Sequence, residues 1–110
     1  MFGNIDAKIE KLAQRGKSIE LAKMLDHAGM ANSLKIIPLL GQIGDDKAVN
    51  ALISYLGVKN QDIRIAAVKA LGATGDQTAK SHLQHLVQVE KDEKVLDVIR
   101  QAITEIPLKG

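Results

Sequence analysis

Three histidines and two glycine-rich turns are the residues of this 110-residue chain whose types could carry chemistry. His82 and His85 are three apart, which on a helix puts both imidazoles on one face. Such a pair can give a divalent metal two ligands, but a stable site needs a third or fourth, commonly a carboxylate or a thiolate. The chain has no cysteine, and nothing marks the distant His27 as converging. Two solvated polar residues are the simpler reading, and no metal or other cofactor is expected. The turns GQIG (41–44) and GATG (72–75) have the glycine content of a phosphate-cradling loop. Neither carries the lysine and hydroxyl of a nucleotide loop, and neither follows a strand. Asp45, Asp46 and Asp76 stand at turns and helix starts, where carboxylates have structural work. No serine, lysine or carboxylate sits in a motif that would tune it for catalysis, so an enzyme is not expected.

The elements around these residues explain them better. Leu40 aligned with Leu71 brings Gly41 over Gly72, Gly44 over Gly75, Asp45 over Asp76, Ala48 over Ala79 and Leu52 over Leu83, a step of 31 residues. A unit recurring at a fixed step is the signature of a stacked repeat protein. In QDIRIAAVKALGATGD (61–76), Ile63, Ala67, Ala70, Leu71 and Thr74 fall in one arc at the helical period. Ile36, Leu39, Leu40 and Ile43 occupy that arc earlier, and Val95, Ile99, Ala102, Ile103 and Ile106 occupy it later. Gly44 and Gly75 follow the last apolar residue, where a helix end favours positive φ. Asp45 and Asp76 then stand ready to accept from the free amides of the next helix.

The succession Ile63-Arg64, Ala67, Ala70-Leu71-Gly72, Gly75-Asp76, Ala79 and Leu83 resembles a HEAT repeat, most closely the short HEAT-like kind of the PBS-lyase type. The resemblance spans roughly residues 18–106; Ser33 and Leu96 stand where the family prefers the arginine that Arg64 supplies. It implies an all-α, right-handed α-solenoid of about three helix pairs plus an N-terminal capping helix, in one domain covering 1–110. The cap is expected at 4–16 and the repeats at about 18–44, 46–75 and 77–106. Bilin lyases carry such repeats, but the repeat alone transfers no lyase chemistry.

Along the chain, Asn4 is expected to cap a first helix with the stripe Ile5, Ile9 and Leu12, ended by Gly16. Ser18 should cap a second helix that stops at Gly29; its partner, 31–43, carries Pro38, which predicts a kink. Helices follow at 46–56, 61–74, 77–89 and 92–106, with a frayed LKG tail, and no stretch alternates like a strand.

The composition is 45% apolar with only two aromatics, Phe2 and Tyr55, so Ala, Leu and Ile carry the packing. The net charge of +2 is spread along the chain without a basic block. That, with few aromatics for base stacking, counts against nucleic acid as partner. MFGNIDAKIEKL is too polar for a signal peptide and no apolar run approaches a membrane span, which fits a cytoplasmic protein and no membrane.

In HEAT-like stacks the second helix of each pair lines the concave side, here 31–43, 61–73 and 92–106. Opposite the core arc lie Leu34 and Pro38, Ile65 and Lys69, and Asp97 and Gln101, with Lys35 and Asp62 beside them. Leu34 and Ile65 either form an exposed apolar patch that takes a protein or peptide segment, or are packed by the stack's curvature. Protein interaction through this face is the leading expectation. The alternatives are nucleic acid along Lys35, Arg64 and Lys69, a role accessory to a bilin or tetrapyrrole lyase, and self-association through Leu96 and Leu108 of an unfinished last repeat.

Overall fold

A computed structural model describes residues 4–107. Phe2, Leu108 and the LKG tail lie outside the described residues. Seven helices follow one another: α1 (Ile5–Gln14), α2 (Ser18–Asp26), α3 (Met30–Ile43), α4 (Asp46–Ile53), α5 (Gln61–Thr74), α6 (Gln77–Val89) and α7 (Glu93–Glu105), with no strand among the described residues. Five are closed at their N-termini by a carboxylate or amide one residue before the helix. Asn4 accepts from the Ala7 amide, Asp45 from Ala48, Asn60 from Ile63, Asp76 from Ala79 and Asp92 from Lys94. Gly44 and Gly75 end α3 and α5 at φ 62 and 69, a conformation that costs a side-chain-bearing residue.

The helices stack in two layers. α3, α5 and α7 lie side by side, α2, α4 and α6 form the other row, and α1 closes one end against α2 and α3. Two faces of each inner helix are therefore covered, one by its own pair and one by a neighbouring repeat. This buries more than the single arc read from the sequence. Ile37 and Val68, one position round from that arc, are fully buried, whereas Leu39, Ile43 and Ile103 are only partly so. The helices approach closely because Gly41 lies on Ala70 and Gly72 lies on Ala102.

Three local expectations need correction. Ser18 is the first residue of α2 and not its cap: Lys17 holds that position without a side-chain bond, and Ser18 Oγ donates to Asp45 Oδ2 at 2.9 Å. α2 ends before Gly29, which instead precedes α3 as its N-cap. α4 stops at Ile53 rather than 56; the chain turns there by bonds from the Tyr55 and Leu56 amides, and Leu56 is still buried. Pro38 lies within α3, which runs unbroken through it.

Side chains tie each repeat to the next. The Ser18–Asp45 bond has a counterpart in Gln61, which donates to Asp92 Oδ2, and Tyr55 donates to Asp26 at 2.7 Å. Partial burial, with the nearby Asp26 carboxylate as acceptor and charge, raises the Tyr55 phenol from 10.0 to about 12. The folded state thus holds the proton more tightly than the unfolded chain, so this contribution is complete below pH 10 and is lost as pH rises towards 12. Tyr55 is the only tyrosine and there is no tryptophan, so near-ultraviolet absorbance reports it cleanly. Its titration is expected near 12, with Asp26→Asn moving the midpoint down; a wild-type midpoint at 10 would contradict the contact.

Candidate functional site

The inner row carries the residues singled out above, and the structure divides them. Leu34, Lys35 and Pro38 come together on α3 in a groove shared with α1, where Asp6, Ile9 and Glu10 form the opposite wall and Leu39 the floor. The groove holds about 480 Å3 and its open surface is mostly apolar. Leu34 is 36% exposed, so it is not packed away by the stack. Lys35 Nζ spans the rim to Asp6 at 2.6 Å, an exposed pair. Pro38 has no amide to give the Leu34 carbonyl four residues back, so α3, though continuous, lacks that one backbone bond at the groove wall. The α1 contribution could not be read from the sequence: Asp6, Ile9 and Glu10 lie twenty or more residues from α3, and only the docking of α1 brings them in.

Lys69 and Gln101 meet in a second groove, between α5 and α7, with Ala73, Val98 and Glu105. It is smaller, about 340 Å3, and mostly polar. Asp62, Ile65 and Asp97 line neither groove. Ile65 is half-buried and packs on the core, so of the two apolar residues left open by the sequence, Leu34 is exposed and Ile65 is packed. The face therefore runs from apolar at the α1 end to polar and charged on α7.

The three cations of the nucleic-acid alternative do not form a track. Arg64 is drawn inward: its Nη1 donates to the Val58 and Lys59 carbonyls at 3.1 and 2.8 Å, and its Nε lies 3.4 Å from Glu90. The Nε contact is an ion pair without a hydrogen bond. Arg64 thus fastens the α4–α5 turn to the end of α6, and Lys35 is engaged by Asp6, which leaves Lys69 alone of the three outside an ion pair among the described residues. His82 and His85 are exposed on α6.

Leu96, expected to stand off the core, is 7% exposed. Where α3 and α5 present Ile37 and Val68, and then Gly41 and Gly72, to the next helix, α7 presents Arg100 and Thr104, both exposed. The outward face of α7 is thus polar, which removes the basis for self-association through Leu96.

Two rows of short paired helices joined at a glycine-closed turn, with close helix contacts from one pair to the next, define an α-solenoid repeat protein. The chain belongs to the HEAT-repeat family, whose model matches residues 20–104. HEAT repeats commonly serve as protein-interaction scaffolds and are generally non-enzymatic. No curated protein matches this sequence. No described helix is long and apolar enough to cross a membrane.

Proposed function

We propose that this chain is a non-enzymatic scaffold that takes a segment of another protein on its inner face, a reading that the cysteine-free composition suits to the cytoplasm. The observation that carries it is the α1–α3 groove, where Leu34 and Pro38 are open to solvent over Ile9 and Leu39. An apolar hollow rimmed by charge offers a partner both burial and register. The one backbone bond lacking at Pro38 leaves a carbonyl whose helical donor is missing, which a partner amide can supply. Lys35, Lys69 and Gln101 extend the contact across the face, and Asp62, Ile65 and Asp97 stand on the inner helices α5 and α7.

The test is affinity capture from the source cells with wild type beside Leu34→Glu, both checked for helicity. A carboxylate at the groove centre should lower the affinity for a captured protein by about 2 kcal/mol or more, near thirtyfold in Kd. Lys69→Glu separates the second groove from the first. Equal retention of every captured protein by wild type and Leu34→Glu would remove the groove from the reading.

A further inference from the structure

We propose that a second hollow, where α1, α2 and α3 meet at one edge of the stack, binds a free aliphatic carboxylic acid. The hollow holds about 450 Å3, within the range of small-molecule sites. Its two kinds of lining are what select the ligand. Ile5, Met24 and Ala28 give it an apolar surface, backed by the fully buried Ile36, and Ile5 is 43% exposed, an aliphatic side chain left uncovered. Lys8, Lys23 and His27 stand around it.

None of these three basic residues pairs with a carboxylate among the described residues. Asp26, adjacent to His27 in sequence, accepts from Tyr55 instead. The hollow therefore holds two lysines and an imidazole that no carboxylate pairs with among the described residues, beside apolar surface without a cover. An inorganic anion would leave Ile5 and Met24 bare, and a neutral lipid would leave the lysines unanswered. A carboxylate on an aliphatic tail meets both, with Lys8 and Lys23 to answer its head and Ile5 and Met24 to cover its tail. The site is separate from the α1–α3 groove and does not depend on the scaffold reading.

The experiment is a titration of the full chain with octanoate, followed by amide chemical shifts, beside a parallel titration with 1-octanol. Octanoate should give saturable shifts at Lys8, Met24, His27 and Asn32, which also lines the hollow, and octanol should bind at least about tenfold more weakly, the scale of two exposed ion pairs lost. Lys8→Glu with Lys23→Glu, at two exposed positions outside the core, should weaken octanoate by a similar factor or more. The octanol comparison needs no variant, so it stands even if the double variant folds poorly. Absence of saturable shifts, or equal binding of octanoate and octanol, overturns the site. Tighter binding of a short Leu-Leu peptide with a free C-terminus than of octanoate overturns the free acid as its occupant.

Discussion

Gly41→Ala should destabilise the protein, although the same exchange in an ordinary helix interior stabilises by about 1 kcal/mol. The reason is the contact between α3 and α5. A methyl group at Gly41 would stand 2.9 Å from both the Cβ and the carbonyl oxygen of Ala70, and 3.0 Å from its Cα. Two of those atoms are backbone, so they give way only if the two helices separate. Overpacking of this kind costs about 1–3 kcal/mol, enough to outweigh the gain in helix propensity. The net loss should lower Tm by about 4–8 °C for each kcal/mol in a domain of this size. Gly57→Ala is the control, since nothing lies within 4 Å of a Cβ there and its effect should stay within about 0.5 kcal/mol. Gly72→Ala should fall on the same side with a smaller loss: Ala102 Cα is 3.1 Å away, and the nearest atom, at 2.7 Å, is the movable end of Glu105. Thermal and urea unfolding followed by circular dichroism would decide it. A Gly41→Ala protein as stable as wild type would show that the helices do not meet this closely.

Leu71→Ala should be the most damaging of the conservative core changes. Leu71 is fully buried on α5, the one helix that packs on α3, α4, α6 and α7 alike. Removing three of its carbons leaves a cavity at the helix on which the stack converges, and such changes cost about 2–5 kcal/mol. Against a typical total of about 5–15 kcal/mol, this is a large fraction. The urea midpoint should fall with little change in slope, because the fold being lost is the same one. Leu34→Ala, at an exposed position, should cost under about 1 kcal/mol. Similar losses from the two would contradict the burial pattern and place Leu34 in the core.

These expectations mark where the sequence was readable. The repeat step, the αL glycines at Gly44 and Gly75 and the aspartate caps at Asp45 and Asp76 are local features, and each was legible from spacing alone. Matching Gly41 to Gly72 was equally legible, but its reason was not, because Ala70 and Ala102 belong to the next repeat. The burial of Ile37, Val68 and Leu96 was missed for the same cause: one helix in isolation has one core face, while a helix in a stack has two. Ser18 looked like a cap because a serine before an apolar run often is one, and the carboxylate that claims its hydroxyl lies in the following repeat. Of the candidate site, Leu34, Pro38 and Lys35 were found by counting round the helix. The wall supplied by Asp6, Ile9 and Glu10 was not, since periodicity says nothing about where α1 docks.

The stacking has a kinetic side. Among the described residues each helix touches only those one or two places along the chain: α3 meets α5 and α5 meets α7, but α3 does not meet α7. Every pairing can therefore be reached by closing a loop of about one repeat, and no contact waits on the meeting of distant ends. Such a chain can begin to order at any pair and grow outward from it. Run backwards, α7 can melt away while α1 to α4 keep all their mutual contacts, and loss of α5 splits the inner row in two. The α1–α3 groove sits at the end farthest from α7, so local opening there leaves it whole.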